Sequence, residues 1–367
     1  MENAFVSRDR RDAEARGVLP IEAYDFISGG AGEEQTLAAN EAAFQRIRFT
    51  TRILRDVSSI DTAVTIFGDR LAMPVLVAPM GAHRLVHPEG EIGTARAAAQ
   101  AGVGYITSTA ATESMEDLAA EGGQARWFQL YCYRDRGVTE DLVHRAEAAD
   151  YSALCVTCDA PVLGMRRRDV KNAFRPSPDI RWVNLERYGL AALPNAQDGS
   201  VVMKYFAGLI DPTLTWRELE WMAGITRLPV VVKGVLNPED ARLAVEAGAG
   251  GVYVSNHGGR QLDRVVATVD ALQGVVDAVG DRVPVFIDGG LRSAADVAAA
   301  IAMGAAAVAI GRPILWALAI GGQGEVARYL EELHADLVRT LALLGVTSAP
   351  ALDSAVLAGA PQPSVAR

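Results

Sequence analysis

One pattern repeats eight times between about residue 74 and residue 311, and it restricts the possible folds more than any other feature. A short β-branched run is followed by a glycine-rich or polar turn and then by an amphipathic, alanine-rich stretch with helical spacing. The runs are PVLVAP (74–79), GYITST (104–109), RWFQLY (126–131), ALCVTCD (153–159), LPVVVKG (228–234), GGVYVSN (250–256), VPVFIDGG (283–290) and AAVAIGR (306–312). Apolar strands that alternate with helices are typical of a parallel sheet buried on both faces. Eight such units predict an α/β fold closed into a (β/α)8 TIM barrel. An open doubly wound sheet is disfavoured, because no strand is followed by a G-x-G-x-x-G turn.

The segments outside the repeat predict additions to this barrel. Residues 20–72 have the pattern of two short helices and a small β element, so residues 1–72 are expected to form an N-terminal helical extension. The stretch 167–212 has no clear periodicity and predicts a long insertion after the fourth strand, of a kind that is usually functional or mobile. Residues 313–367 predict closing helices. We therefore expect one domain spanning residues 1–367.

Charge and hydropathy exclude several classes of function. The net charge is −10 and no segment is strongly basic, which argues against nucleic acid or an anionic membrane as a partner. The first residues, MENAFVSRDRRD, lack the apolar core of a signal peptide. The longest apolar stretch, 297–310, is too short to span a bilayer, and Gly304 divides it into a helix end and a strand. A cytoplasmic protein is the expectation.

The three cysteines, Cys132, Cys155 and Cys158, are too few for a disulfide framework and fit a reducing compartment. Cys155 and Cys158 form a C-x-x-C, but they lie in an apolar strand, where residues three apart point to opposite faces. We do not predict a metal or redox role for them.

Polar residues cluster where the predicted strands end, and in a parallel barrel these ends meet on one face, where such barrels carry their chemistry. Each of these polar residues alone could simply lie in a solvated turn, but solvated turns do not explain why all of them converge on one face. The cluster comprises Pro79 to Gly81, Ser108, Gln129, Tyr131, Thr157, Asp159, Lys233, Ser255, His257, Arg260, Asp288, Gly311 and Arg312.

His257 is the only histidine at such a strand end, and Asp159 could fix its tautomer and stabilise its protonated form. His83 and His87 are predicted in a loop, and His144 and His334 in surface helices, so a zinc site of three histidines is not expected. Lys233 ends a run of three valines, so its aliphatic chain is expected to be buried. A buried ammonium group needs an anionic partner or a shifted pKa. An internal ion pair would satisfy it, or the ammonium group could instead face a polarised carbonyl or a ring that becomes anionic.

Two pairs of arginines suggest anion binding. Arg166 and Arg260 follow the strands that carry the aspartate and the histidine, and two guanidiniums opposite a base suggest recognition of a carboxylate. Arg292 and Arg312 follow glycines after the last two strands, where freed backbone N–H groups could cradle a phosphate. Solvated arginines on tight turns are the alternative for the second pair.

The sequence resembles the FMN-dependent (S)-2-hydroxy acid oxidases and dehydrogenases, the family of glycolate oxidase, lactate oxidase and mandelate dehydrogenase. The stretch SNHGGRQLD (255–263) is close to the long signature of that family. FQLY, VTCDAP-x-LG, VVVKGV, IDGGLRS and IGRP match in order and at suitable spacing over nearly the whole chain. The resemblance implies FMN as cofactor, a small 2-hydroxy acid as substrate, O2 or another electron acceptor, no metal, and a homo-oligomer, often a tetramer.

The resemblance also implies roles. His257 would be the active-site base, held by Asp159. Tyr131 would bond a substrate oxygen, and Arg166 and Arg260 the carboxylate. Lys233 would stabilise the reduced flavin near N1 and O2. The remaining flavin contacts would come from Pro79, Met80, Gly81, Ser108, Gln129, Thr157, Ser255 and Asp288, with Gly289, Gly290, Arg292, Gly311 and Arg312 around the phosphate.

Three positions depart from the pattern of glycolate oxidases or vary in the family. Phe26 stands where a carboxylate-binding tyrosine is common, as in the 4-hydroxymandelate oxidases of the family, and Ala110 where a tryptophan is common. Both changes predict a roomy, apolar pocket and a bulky, aromatic substrate such as mandelate or 4-hydroxymandelate. Gly81 stands where many oxidases have alanine, which favours a non-oxygen acceptor. The prediction is nevertheless an oxidase, since 167–212 lacks the apolar block of membrane-linked mandelate dehydrogenases.

Two further hypotheses are open at this point. An FMN barrel with isomerase chemistry would need a diphosphate site, which fits the histidine–arginine pair less well than a carboxylate does. A ligand-binding barrel with a decayed catalytic set is opposed by the intact group of His257, Asp159, Tyr131, Lys233 and Arg260.

Overall fold

Eight parallel strands close into a barrel in the computed structural model, which describes residues 8–191, 205–206 and 208–359. A hairpin of β1 (Val64–Ile66) and β2 (Asp69–Leu71) precedes it. The barrel strands are β3 (Val75–Val77), β4 (Gly104–Ser108), β5 (Arg126–Leu130), β6 (Ala153–Thr157), β7 (Val230–Val235), β8 (Gly251–Val254), β9 (Val285–Ile287) and β10 (Ala307–Ile310). They follow one another in chain order, and β10 pairs with β3 to close the circle. Every predicted run contains a strand, so the (β/α)8 prediction is confirmed and the open sheet is excluded.

Helices connect these strands as the periodicity predicted. They span Gly90–Ala101, Met115–Ala120, Arg136–Ala148, Trp216–Gly224, Pro238–Glu246, Thr268–Val279 and Ala294–Ala302. Local signals set their ends: Ser293 and Asp296 form a capping box at the start of the last of these helices. Gly102, in the left-handed conformation, ends the first of them. Gly304 separates helix from strand, as expected.

The N-terminal extension contains helices Arg8–Val18, Ile21–Ser28 and Gln35–Arg46 before the hairpin. The two helices and the β element predicted within residues 20–72 are therefore confirmed, and Arg8–Val18 is an additional helix. After the barrel, Arg312–Leu344 is helical on both sides of a break at Gly321 and Gly322, in agreement with the closing helices predicted after residue 312.

The described residues of the insertion between β6 and β7 include two short helical segments. The insertion begins with the helix Arg167–Lys171 and continues into a 3-10 helix, Val183–Tyr188. Residues 192–204 and 207 of the predicted insertion lie outside the described residues.

The barrel interior is filled by side chains toward its amino end. Trp127 and Phe286 pack with ring centroids 4.9 Å apart, and Phe67 from the hairpin lies 5.5 Å from Trp127. Cys155 is buried in the same cluster. Because these rings occupy one end of the barrel, the space for a ligand lies at the carboxyl ends of the strands. Within the described part of the chain, no helix has the length and apolarity needed to cross a membrane.

Candidate active site

One cavity of about 220 Å³ opens at the carboxyl ends of the strands. All predicted site residues except Asp159 and Ser255 line it, and those two contact lining residues from behind. The lining set is Phe26, Pro79, Met80, Gly81, Ser108, Ala110, Gln129, Tyr131, Thr157, Arg166, Lys233, His257, Arg260, Asp288, Gly289, Gly290, Arg292, Gly311 and Arg312. The convergence predicted from the strand ends is therefore present.

His257 and Asp159 form a direct pair. The imidazole Nδ1 lies 3.0 Å from Asp159 Oδ1, and the two side chains are 25% and 11% exposed. Burial alone would raise the pKa of Asp159, but the neighbouring His257 and Lys233 hold that pKa below its usual value, so the carboxyl is ionised. Because Nδ1 faces this carboxylate, Nε2 is the ring nitrogen that can exchange a proton with a ligand.

Lys233 has the internal carboxylate partner that its position predicted, and a serine hydroxyl beside it. Its Nζ lies 3.3 Å from Asp288 Oδ2 and donates to Ser255 Oγ at 2.8 Å. Burial alone would lower the pKa of Lys233, but Asp288 and Asp159 raise it above its usual value, so the side chain is a cation. The internal ion pair is thus present, and the same ammonium group also borders the cavity.

A β-bulge in β7 brings Asp159 and Lys233 together. The pairing between β7 and β8 shifts register between Lys233 and Val235, and Gly234 has φ +109°. A Cβ atom on Gly234 would lie 2.5 Å from the Cβ of Asp159. Only glycine fits at this point.

Arg166 and Arg260 flank the ring of Phe26. Their guanidinium carbons lie 5.2 Å and 5.3 Å from the ring centroid, which is a cation–π arrangement on a partly buried aromatic side chain. Arg166 Nε lies 3.3 Å from Asp169 Oδ2. Arg260 donates to the backbone oxygens of Phe26 and Gly29, at the carboxyl end of the helix Ile21–Ser28.

Burial lowers the pKa of both guanidiniums, and Arg166 lowers that of Arg260 further. Within the described residues, Arg260 has no carboxylate in salt-bridge contact. Two neighbouring cations, of which only Arg166 contacts a carboxylate, form a site suited to an anionic ligand.

The far end of the cavity is also cationic. Arg292 pairs with Glu41 at 2.7 Å and Arg312 donates to the backbone oxygens of Ile27 and Gly29. Burial, followed by the charge of Arg292, lowers the pKa of Arg312 to about 9. Within the described residues, Arg292 thus has a carboxylate partner, whereas Arg312 bonds backbone oxygens.

Glycines give a ligand access to the backbone at this end. Gly289 and Gly290 have φ +88° and +89°, and Gly311 follows β10 directly. Together with the two arginines they form a cradle suited to a phosphate group.

A buried polar chain links three strands between the two ends. Ser108 Oγ donates to Gln129 Oε1 at 3.2 Å, and Gln129 Nε2 donates to Thr157 Oγ1 at 2.9 Å. Asp288 Oδ1 and Arg292 Nε are buried and have no hydrogen-bond partner in the described part of the structure. A ligand in the cavity could pair with both groups. A phosphate cradle, a row of hydrogen-bonding side chains and a buried lysine in one continuous cavity fit FMN.

Some lining residues were not predicted as site residues, and three of them come from the same segment of the chain. Leu163, Trp182 and Phe206 reach the cavity from the long connection between β6 and β7, and Tyr131 packs on Phe206 with ring centroids 6.0 Å apart. The sequence shows that this connection contains aromatic residues, but because it has no periodicity, the sequence does not predict which of them face the cavity.

The comparisons with known proteins agree with this geometry. The sequence matches the family described as FMN-dependent dehydrogenase over residues 15–359. The chain belongs to that family. This family member is therefore an FMN-dependent enzyme of the 2-hydroxy acid oxidase group, as the sequence predicted.

Individual relatives are similar over almost their full length. An L-lactate oxidase of Nostoc sp. is 45% identical over 339 residues, which cover 91% of this chain and 93% of the relative. Glycolate oxidase 1 of Oryza sativa subsp. indica is 47% identical over 334 residues, covering 91% and 90%. A crystal structure of a mandelate oxidase with (S)-4-hydroxymandelic acid superimposes with a TM-score of 0.91 at 45% identity and covers 95% of this chain and 97% of that one.

Proposed function

We propose that this protein oxidises an (S)-2-hydroxy acid with an aromatic or bulky side chain, such as mandelate or 4-hydroxymandelate, to the 2-oxo acid. The substrate loses two electrons and two protons, and O2 takes up the two electrons and the two protons to give H2O2. One observation carries the proposal: His257, whose Nδ1 lies 3.0 Å from Asp159 Oδ1, borders the same cavity as the cations Arg166 and Arg260.

The chain's own residues orient the substrate and move its proton. Arg166 and Arg260 bind the carboxylate, which places the α-carbon and its hydroxyl near His257. His257 accepts a proton from the α-carbon or the hydroxyl and becomes an imidazolium stabilised by Asp159. Burial raises the pKa of Tyr131 to about 12, so its phenol stays protonated and donates to a substrate oxygen.

FMN, when bound, accepts the electron pair. Lys233 would stabilise the negative charge of the reduced ring, and backbone at Pro79, Met80 and Gly81 would border its reactive side. Further contacts are proposed from Ser108, Gln129, Thr157, Ser255 and Asp288, and the phosphate is assigned to Gly289, Gly290, Arg292, Gly311 and Arg312.

The preference for an aromatic substrate is supported by the apolar wall of the cavity. Phe26 stacks on Phe174 with centroids 4.4 Å apart, and Trp182 and Phe206 pack at 5.7 Å. Ala110 leaves open the space that a tryptophan would fill. A phenyl group would bury its area against these rings, whereas glycolate has no side chain to bury.

Anaerobic reduction of the flavin tests the proposal. The purified holoenzyme is mixed without air with (S)-mandelate, (S)-4-hydroxymandelate, (S)-lactate and glycolate, and bleaching of the flavin absorbance is followed before air is admitted. We expect the aromatic acids to bleach the flavin at the highest kcat/KM and air to restore the colour with release of H2O2. A clear preference for glycolate would reject the aromatic assignment, and no bleaching by any of these acids would reject the activity.

Gly81 favours a second candidate, a dehydrogenase with an acceptor other than O2. A Cβ atom at Gly81 would lie 2.8 Å from the backbone oxygen of Ala110, so this loop has no room for a side chain at position 81. Stopped-flow reoxidation in air-saturated buffer separates the two candidates. Reoxidation much slower than turnover with a dye acceptor would favour the dehydrogenase.

Location and assembly remain predictions from the sequence: a cytoplasmic homo-oligomer, a tetramer by resemblance, formed by one FMN-binding domain over residues 1–367. Light scattering during size-exclusion chromatography measures the assembly directly.

A further inference from the structure

The turn that carries His257 has an unusual backbone. His257, Gly258 and Gly259 follow one another with φ +59°, +65° and +73°, all in the left-handed region. This region is disfavoured for a residue with a Cβ atom, and a run of three such residues is rare. Contacts around the turn must therefore hold it in place.

Asn256 supplies the contacts from within the turn. The N–H of Gly259 donates to the backbone oxygen and to Oδ1 of Asn256, at 3.0 Å each. Asn256 Nδ2 also donates to the backbone oxygen of Val266 at 3.2 Å. Asn256 is 4% exposed, so its amide depends on protein groups for its hydrogen bonds and its orientation.

Asn40, in the extension helix Gln35–Arg46, fixes that orientation. Asn40 Nδ2 donates to Asn256 Oδ1 at 2.8 Å, and Asn256 Nδ2 donates to Asn40 Oδ1 at 2.7 Å. The N–H of Thr268 donates to the same Asn40 oxygen at 3.3 Å. Asn40 is 1% exposed, so water cannot replace these bonds without rearrangement.

The same residue contacts the glycine loop at the phosphate end. A Cβ atom on Gly290 would lie 2.2 Å from the backbone oxygen of Asn40, and one on Gly289 would lie 3.2 Å from Asn40 Nδ2. The extension helix thus packs against two loops at once: the one that bears His257 after β8 and the one that follows β9.

We propose that Asn40 is a positioning residue for this active site. Through Asn256 it holds the left-handed turn that directs His257 toward Asp159, and through its backbone contact it supports the Gly289–Gly290 loop. The inference rests on the proposed function for the role of His257 as the base. It assigns a role in that reaction to an extension residue that lies outside the cavity lining.

The test compares Asn40→Ala, Asn256→Ala and the double variant with Tyr24→Phe. The control removes one hydrogen bond of the same extension, from Tyr24 Oη to Asp12 Oδ1 at 2.8 Å, away from the turn. Each protein is saturated with FMN, and the limiting rate of anaerobic flavin reduction by (S)-mandelate is measured together with Tm. Hydrogen exchange of the segment 255–260 is measured on the apoproteins, and the dissociation constant of FMN is measured by adding FMN to them.

We expect Asn40→Ala to slow flavin reduction by about 10- to 100-fold, because misplacing a base costs that much rate. Hydrogen exchange of the turn should accelerate at least about tenfold, because the turn loses a contact that holds it closed. Its FMN affinity should fall by about tenfold. Tyr24→Phe should leave reduction and exchange within about twofold of the parent. The double variant should be no slower than Asn256→Ala, because Asn40 acts on the turn through Asn256.

Unchanged reduction and exchange in Asn40→Ala, with a lowered Tm alone, would overturn the proposal and leave Asn40 as a helix-docking residue. If Asn40→Ala does not fold, Asn40→Asp keeps both bonds accepted by Oδ1 and loses the one donated to Asn256, and the same readouts apply. If no 2-hydroxy acid reduces the parent enzyme, the proposed function fails, while exchange of the turn and FMN affinity still decide whether Asn40 positions it.

Discussion

Gly234 and Asp159 lie so close that a methyl group on the glycine would place its carbon 2.5 Å from the aspartate Cβ. The backbone of Gly234 also has φ +109°, which residues with side chains rarely adopt. The bulge in β7 thus brings Lys233 and Asp159 side by side at the strand ends, and it tolerates only glycine.

We predict that Gly234→Ala displaces Asp159 and impairs its pairing with His257. The substitution combines backbone strain with a steric clash, which together should cost about 1–3 kcal/mol of unfolding free energy. Flavin reduction should slow by about 100-fold, since a displacement near 1 Å has that effect. Urea denaturation and anaerobic stopped-flow measure the two effects.

Gly224→Ala is the matched control for this substitution. Nothing lies within 4 Å of a Cβ atom built on Gly224, which ends the helix Trp216–Gly224. Equal losses of stability and rate in both variants would show that the approach of Gly234 to Asp159 has no special importance.

Asp159→Asn should keep the shape of the site and lose most of its rate. The amide cannot stabilise the imidazolium that His257 becomes, so flavin reduction should fall by about 10²- to 10⁴-fold with a smaller change in substrate affinity. Rapid-scanning absorbance at several mandelate concentrations separates the limiting rate from the affinity. A loss confined to affinity would contradict the assigned role.

The same carboxylate makes stability depend on pH in a defined direction. Because the pKa of Asp159 is lowered in the folded protein, its contribution is fully present above the unfolded pKa of about 3.9 and is lost as pH falls through the lower folded pKa. Between pH 5 and about pH 3, Tm should fall less steeply in Asp159→Asn than in the parent. Parallel Tm curves would show that the pair adds no stability.

The sequence predicted the barrel because each strand is a continuous apolar run. It predicted most of the cavity lining because residues at parallel strand ends must converge. It could not predict the clamp between Asn40 and Asn256, which are 216 positions apart and belong to no periodic pattern. Trp182 and Phe206 were missed for a related reason: they belong to a stretch without periodicity in the sequence, so nothing in the sequence indicated which way they face. The bulge at Gly234 is a register shift between two strands, and register is not encoded in either strand alone.

Arg312→Ala should weaken FMN binding more than substrate binding. A charged hydrogen bond to phosphate contributes about 1.5–3 kcal/mol, so the dissociation constant of FMN should rise by about 10- to 100-fold. Quenching of FMN fluorescence on addition of apoprotein measures it. Riboflavin, which lacks the phosphate, should bind the variant and the parent with similar affinity.

Arg227→Ala provides the control for loss of a positive charge. Arg227 is 91% exposed and pairs with Glu147 on the surface. Its removal should leave the FMN dissociation constant within about twofold of the parent. If riboflavin and FMN lose affinity for Arg312→Ala to the same extent, the phosphate is not held at this end of the cavity.

Ala110→Trp should convert the proposed preference from aromatic to small substrates. Ala110 borders the cavity beside Gly81, and an indole there would occupy the space assigned to the phenyl ring of mandelate. The ratio of kcat/KM for mandelate to that for glycolate should fall by about 100-fold or more, since clashes in a packed pocket exclude the larger substrate while the carboxylate and hydroxyl contacts remain. Steady-state assays with both acids, at matched flavin content and Tm, measure the ratio. An unchanged ratio would place the aromatic ring elsewhere in the cavity, toward Trp182 and Phe206.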